Sequence, residues 1–153
     1  MAPRILTGVD EVKAAVGEHF GFSDWLVVTQ ERVNQFADAT GDHQWIHVDV
    51  DRATRESPFG GPIAHGYLTL SLGPVLMPSV LQRKGFAMGI NYGCNRVRFM
   101  SPVPVGSRVR LGVKLLSADD IAGGLQETYE WTYEIDGVAK PACVAEVVLR
   151  AYL

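Results

Sequence analysis

Cysteine is scarce in this chain, and charge is nowhere concentrated. Two cysteines, Cys94 and Cys143, occur among 153 residues, which argues against a disulfide framework and against a cysteine-rich metal site. Both stand in apolar, strand-like stretches, so we expect buried free thiols in a reducing compartment. The net charge is -3 and the 14 lysines and arginines are scattered. Because nucleic-acid binding needs a concentrated basic face, the composition argues against nucleic acid as a partner.

A targeting segment and a membrane span are also missing. The first residues, Met-Ala-Pro-Arg-Ile-Leu, lack the apolar core of a signal peptide. No apolar run reaches the roughly 20 residues that cross a bilayer. We therefore expect a cytoplasmic protein with no membrane contact. The length and an apolar content of 47% suit one domain over residues 1-153.

Acidic residues are absent between Glu56 and Asp119. Inside that stretch, His65 to about Leu81 is almost uncharged, and a helix that is apolar on all sides is expected to be buried. Gly73 followed by Pro74 should kink or split it.

Helix signals dominate the N-terminal half. Val9 to Val16 predicts a short helix, and Trp25 to Thr29 an extended segment. Thr29 is then a plausible N-cap for a helix that ends at Gly41. Asp49 to Glu56 indicates a short polar helix or turn.

The C-terminal half alternates apolar and polar residues. Ala87 to Phe99 forms one predicted strand, and Asp136-Gly137 a hairpin-type turn. Alternation with one polar face is typical of antiparallel strands, and it runs through Val109–Leu115, Tyr129–Ile135 and Cys143–Leu149. The apolar helix is the element suited to cover such a sheet. The predicted fold is α+β, with an antiparallel β-sheet wrapped around a long central apolar helix.

The candidate catalytic pair is Asp42 and His47. The two residues stand five positions apart just after the helix end at Gly41, so one turn can aim both at the same water. Taken singly, Asp42 could be a turn residue and His47 a structural histidine. Their combination in one turn, flanked by apolar Trp45 and Ile46, favours general acid–base chemistry.

Gly66 begins the apolar helix and is the third candidate. Its N–H can polarise a carbonyl oxygen, or the glycine can merely relieve crowding. The adjacent His65 either lines the site or caps the helix. A metal alternative would use His43, His47, Asp42 and His65 as ligands. Because the chain lacks an H-E-x-x-H motif and a cysteine cluster, we expect no metal and no cofactor.

Four segments together carry a family resemblance: FADATGDHQWIH (36–47), PIAHG (62–66), NYGCNRVRF (91–99) and PVPVG (102–106). They resemble the MaoC-like (R)-specific enoyl-CoA hydratases, also described as 3-hydroxyacyl-thioester dehydratases. The nodulation protein N-like subgroup is the nearest in wording. The likeness runs from roughly Phe22 to the end of the chain. It implies a hot dog fold, and a homodimer whose sheets join edge to edge and so remove an exposed strand edge.

The resemblance also implies a reaction. Asp42 and His47 would activate water for addition to a trans-2-enoyl thioester, giving the (R)-3-hydroxyacyl product. The Gly66 N–H would bind the thioester oxygen. The acyl group would be carried by coenzyme A or by an acyl carrier protein.

Two departures from the family pattern stand out. Gln44 and Trp45 stand where relatives usually have Asn-Pro, and Pro74 stands where some relatives have a helix serine, so hydroxyl help would fall to Thr69, Ser71 or no residue. We assign Gln44, Trp45 and the neighbouring His65 to substrate binding.

A pair of arginines is a further candidate for substrate binding. Arg96 and Arg98 share one face of a predicted strand and could meet the phosphates of coenzyme A. Solvated surface charge is the alternative.

Two other functions stay open. A thioesterase of this fold commonly needs a carboxylate on the central helix, which the stretch without acidic residues does not supply. A non-catalytic acyl-thioester-binding dimer would use the same pocket without turnover.

Overall fold

The computed structural model describes residues 2–153, within which the chain forms eight strands and six helices. The strands are β1 (Arg4–Thr7), β2 (His19–Phe22), β3 (Leu26–Val27), β4 (Leu81–Lys84), β5 (Met88–Phe99), β6 (Arg108–Ile121), β7 (Gly124–Ile135) and β8 (Cys143–Tyr152). The helices are α1 (Gly8–Ala14), α2 (Gln30–Thr40), α3 (Trp45–Val48), α4 (Val50–Glu56), α5 (Gly66–Ser71) and α6 (Gly73–Leu76), with a 3₁₀ turn at Met77–Ser79. In this part of the chain no helix has the length and apolar character of a membrane span.

The main sheet confirms the predicted antiparallel alternation. Its strands run in the order β2-β6-β7-β8-β5, and β3 also pairs with β6. The registers place Trp131 of β7 opposite Val113 of β6 and Ala145 of β8. All three residues are buried, whereas Glu130, beside Trp131 in sequence, is exposed. The buried face lies against the α5–α6 stretch, so the α+β class is confirmed.

The central helical stretch is broken, as Gly73-Pro74 predicted, and it is not one long helix. It consists of α5, α6 and the 3₁₀ turn, with Leu72 between the two helices. A Cβ atom on Gly73 would stand 2.0 Å from Cζ3 of Trp131, so the helix can approach the sheet closely only because this residue is glycine.

The prediction that this stretch is buried on all sides was wrong for one face. Leu68, Leu72 and Leu76 are buried, but Tyr67 is 71% exposed and Val75 is 59% exposed. These two residues lie eight positions apart on the same side of the stretch. Apolar composition identified a buried helix without showing that one side of it stays open.

A small second sheet was not predicted. Strands β1 and β4 pair in parallel, with Arg4 opposite Leu81 and Thr7 opposite Lys84. Each strand has four residues, which is too short to display a clear alternation.

One ion pair is buried in the core. Glu127 is fully buried, and its Oε2 accepts hydrogen bonds from Arg83 at 2.6 Å and from the Tyr129 hydroxyl at 2.5 Å. Burial raises the pKa of Tyr129, and the negative charge of Glu127 raises it further. This cluster ties β4 to β7.

Candidate active site

A well-defined turn carries Asp42 and His47. Thr29 caps the start of helix α2, where its hydroxyl oxygen accepts the Arg32 N–H at 3.1 Å, and Gly41 caps the end with φ of 84°. Both boundaries agree with the sequence prediction. The short helix α3 then presents His47, whose carbonyl oxygen accepts a hydrogen bond from the Gln30 side chain at 2.8 Å. The pair therefore sits on a segment fixed at both ends.

The tautomer of His47 follows from its contacts. Nδ1 lies 2.6 Å from the Ile63 carbonyl oxygen. Because a carbonyl can only accept, Nδ1 carries the proton and Nε2 keeps a free lone pair. Burial lowers the pKa of His47, and His65 lowers it further, while the Ile63 carbonyl and Asp42 act in the opposite direction. A neutral imidazole with a free Nε2 can act as a general base near neutral pH.

Asp42 is exposed at the edge of the site. Its Oδ1 accepts the Gln44 N–H at 3.3 Å, and its backbone carbonyl accepts a hydrogen bond from Nε2 of His65 at 2.9 Å. One side-chain atom each of Asp42, His47 and His65 lies within 4.8 Å of the others. The structure thus brings three sequence-predicted residues into one cluster.

His65 lies behind the pair and does not line the cavity. Its ring stacks on that of His47 with centroids 3.9 Å apart and planes at 25° to each other. The centroid of the Phe36 ring lies 4.9 Å from that of His65. It is 3% exposed, and within residues 2–153 its Nδ1 has no hydrogen-bond partner. The two stacked imidazoles and the Asp42 carboxylate thus form a compact group of ionisable side chains, which we interpret from the sequence as an acid–base site rather than a metal site.

A cavity of about 310 Å³ joins His47 to Gly66. Gly66 is the first residue of α5, so its N–H has no acceptor inside the helix. A Cβ atom here would lie 3.0 Å from Cγ of Phe99, which shows that the glycine also allows close packing. The walls are mostly apolar: Phe59, Ile63, Ala64, Thr69, Phe99, Met100, Ser101, Pro102, Val103 and Ala142 complete them.

Several residues that line the cavity were not predicted from the sequence. Phe99 and Met100 lie at the end of β5, some fifty residues after His47, and no local pattern in the sequence links them to the site. Thr69 was considered as a hydroxyl source, and it lines the cavity one turn after Gly66. Ser71, the other hydroxyl considered, instead donates to the Tyr67 carbonyl at 2.6 Å.

Gln44 and Trp45 do not reach the cavity. Gln44 is exposed and precedes α3, and Trp45 lies under the Arg52 guanidinium, 4.2 Å from the ring centroid. Within this chain, no contact between these two residues and the cavity supports the role in substrate binding that the sequence suggested.

Arg96 and Arg98 lie on the outer face of the sheet. Their registers place them opposite Glu146 and Val144 of β8, and with Glu130 these residues line a second cavity of about 320 Å³, which shares Met100 with the first. The structure does not bring the two arginines together with His47. Alternation along β5 sends Val97 and Phe99 inward and the arginines outward.

Comparison with known proteins gives consistent matches. The model of a family described as MaoC like domain matches residues 11–136. The chain is 53% identical over 148 residues to 3-hydroxyacyl-thioester dehydratase Z of Mycobacterium tuberculosis, covering 96% of this chain and 97% of that protein. It is 49% identical over 141 residues to nodulation protein N of Rhizobium leguminosarum bv. viciae, covering 88% and 85%. A solved (R)-hydratase from A. caviae is similar with a TM-score of 0.71 and 26% identity, covering 88% and 94%, in agreement with the expected hot dog fold.

Proposed function

Because this chain belongs to the MaoC-like domain family, we propose that it catalyses the reversible hydration of trans-2-enoyl thioesters to (R)-3-hydroxyacyl thioesters. The observation that carries the proposal is the cavity that His47 and Gly66 line together, with a carboxylate oxygen of the exposed Asp42 within 4.8 Å of a ring nitrogen of His47. The cavity offers a base and a backbone donor around one apolar space, and the carboxylate lies beside the base.

The first step uses the Gly66 N–H. The thioester carbonyl docks on this donor, which stabilises the enolate-like charge that develops on the oxygen as water attacks. A donor aimed at the developing charge favours the transition state over the ground state, which is the condition for rate acceleration.

The proton transfers belong to Asp42 and His47. Nε2 of His47 takes a proton from the water whose oxygen bonds to the β-carbon, and the pair returns one proton to the α-carbon. Water is thereby added across the double bond with no net change in the enzyme. Positioned acid–base groups typically contribute about 10²–10⁴-fold each. The reverse sequence dehydrates the 3-hydroxyacyl thioester.

The carrier of the acyl group is coenzyme A or an acyl carrier protein. Arg96 and Arg98 remain candidates for contacts with its phosphates, although they lie away from His47 on the outer face. Any such contact would hold the carrier rather than the acyl chain.

A second copy of this chain is the proposed partner. Almost every residue of the edge strand β5 is exposed, including apolar Met88, Ile90 and Tyr92. Tyr67 and Val75 expose further apolar surface on the neighbouring helical stretch. Pairing two β5 edges would satisfy free backbone groups and remove an edge open to aggregation. Light scattering should give the mass of a dimer, and Ile90→Lys, which places charge on that edge, should shift it toward the monomer. A monomeric wild-type protein at micromolar concentration would refute the homodimer.

The cytoplasm is the proposed location. Cys94 and Cys143 are both unpaired. Cys143 is buried as expected, whereas Cys94 is exposed. Free thiols persist in a reducing compartment.

One assay tests the proposed reaction. Loss of the conjugated enoyl absorbance should follow addition of enzyme to enoyl-CoA thioesters of graded length, and chiral analysis should find the (R) product. Release of free coenzyme A without enoyl turnover would instead indicate a thioesterase. That outcome has little structural support. The only acidic side chain on the inner face of β7 is Glu127, which is fully buried and forms an ion pair with Arg83. Tight acyl-CoA binding without hydration at every length would indicate a non-catalytic binding protein.

A further inference from the structure

The cluster around His47 contains one buried group that the proposed reaction does not use. We propose that His65 is a positioning residue, which anchors the backbone of Asp42 and faces the ring of His47 so that the carboxylate and the imidazole stay at a fixed separation. This inference rests on the proposed function and assigns His65 a role other than contact with substrate.

The first support is a hydrogen bond between distant segments. Nε2 of His65 lies 2.9 Å from the carbonyl oxygen of Asp42, 23 residues earlier in the chain. The carbonyl can only accept, so Nε2 carries the proton and Nδ1 is left as a bare acceptor. Asp42 is otherwise held only by the end of α2 and by the 3.3 Å contact of its own side chain with the Gln44 N–H. His65 therefore fixes the exposed side of the turn to the start of α5.

The second support is the stacked pair of rings. His65 and His47 lie face to face, and the Phe36 ring also packs on His65, with centroids 4.9 Å apart. The two histidines have opposite tautomers, since His47 donates through Nδ1 to Ile63 and His65 donates through Nε2 to Asp42. Each ring is thus locked by one hydrogen bond, and neither can rotate without breaking it.

The third support is the electrostatic effect of the arrangement. The ionisable groups that act on His47 are Asp42 and His65, while α2 contributes the neutral Gln30 amide. His65 lowers the pKa of His47 because two imidazolium charges in contact repel each other. Removing the ring at position 65 should therefore raise the pKa of His47, an effect that a purely space-filling residue would not have.

Two substitutions separate the hydrogen bond from the ring. His65→Gln keeps a side-chain donor for the Asp42 carbonyl but loses the imidazole, and His65→Phe keeps a stacked ring but loses the donor. We expect His65→Phe to lower kcat by about 10²-fold, the loss that a misplacement of roughly 1 Å can cause, with little change in KM. We expect His65→Gln to recover most of that loss. The control is His43→Gln, since His43 is exposed and bonded to Asp38, and its activity should stay within about twofold of wild type.

Spectroscopy of histidine-labelled protein supplies a readout without substrate. In the wild type, the nitrogen shifts should report an Nδ1–H tautomer for His47 and an Nε2–H tautomer for His65. Both variants should raise the titration midpoint of His47, and the acid limb of the pH–rate profile should move to higher pH with it. The wild-type tautomers decide the matter even if a variant fails to fold.

The outcomes are distinct. An Nδ1–H tautomer at His65, or an unmoved His47 midpoint in both variants with loss of activity that only follows loss of stability, would overturn the inference and leave His65 as a core residue. Absence of enoyl hydration in the wild type would remove the proposed function, while the tautomers and the His47 midpoint would still test the positioning role.

Discussion

Replacing Gly66 by alanine tests the geometry of the site most directly. The added Cβ would stand 3.0 Å from Cγ of Phe99 and 3.1 Å from both Cδ atoms. Carbon atoms in good contact lie about 3.5–4.0 Å apart, so the ring must retreat by roughly 0.5–1 Å. Phe99 is 47% exposed, so it can yield toward solvent. The stability cost should fall near the lower end of the roughly 1–3 kcal/mol seen for overpacking.

Activity should respond far more than stability. Phe99 is a wall of the cavity, and the thioester carbonyl is proposed to dock on the Gly66 N–H beside it. A displacement of this size near reacting groups can cost up to about 10²-fold. We therefore expect kcat/KM for enoyl hydration to fall about 10- to 100-fold, while the melting temperature changes by only a few degrees.

A double-mutant cycle identifies the cause. Phe99→Ala removes all three ring atoms that the new methyl group would meet. In that background Gly66→Ala should cost less than about threefold, a coupling of roughly 1–2 kcal/mol between the two sites. Gly61→Ala is the control, because a Cβ there meets no atom within 4 Å. An equal loss of activity in both backgrounds would refute the steric explanation.

Three further predictions follow from the site and the core. Asp42→Asn and His47→Gln should each lower crotonyl-CoA hydration about 10²–10⁴-fold with an unchanged circular dichroism spectrum, and near-native turnover in both would defeat the assignment. Because the pKa of His47 lies below its ordinary value of about 6.5 in the folded protein, the unfolded chain binds more protons once the pH falls below that value. Activity should be constant above pH 6.5 and fall at lower pH, where His47 of the folded protein becomes protonated. The free energy of unfolding should likewise be unaffected by His47 above pH 6.5 and decrease below it. A decline of activity that starts at about pH 8 would contradict this. Arg83→Leu leaves the fully buried Glu127 without its cation and should destabilise the protein by about 3–5 kcal/mol in urea denaturation, whereas an unchanged midpoint would contradict this.

Local signals in the sequence predicted the elements that chain neighbours decide. Thr29 and Gly41 mark the two ends of α2 because capping and the left-handed conformation depend on adjacent residues. The alternation of β6, β7 and β8 predicted a sheet with one buried face, since side chains point to opposite faces with a period of two. The short pair β1 and β4 was missed because parallel partners 77 residues apart leave no such pattern in four residues.

The residues that meet in the proposed site were identified in part for the same reason. Asp42 and His47 share one turn, so their spacing was informative, and Gly66 was visible as the start of an apolar helix. The role of His65 could not be predicted, because its hydrogen bond to Asp42 joins residues 23 positions apart. Gln44 and Trp45 were assigned by proximity in sequence, yet the turn of α3 directs them away from the cavity.

The sequence by itself determined the family, the two ends of α2, the alternating strands of the main sheet and the placing of Asp42 and His47 in one turn, because each is encoded in motifs, caps or periodicity over a few residues. Only the tertiary structure decided which nitrogen of His47 is free, that His65 stands behind it, and that Phe99 closes the wall beside Gly66. Those facts depend on distances between segments far apart in the chain. The direction of a side chain on a strand or helix end follows from packing, which no local pattern contains.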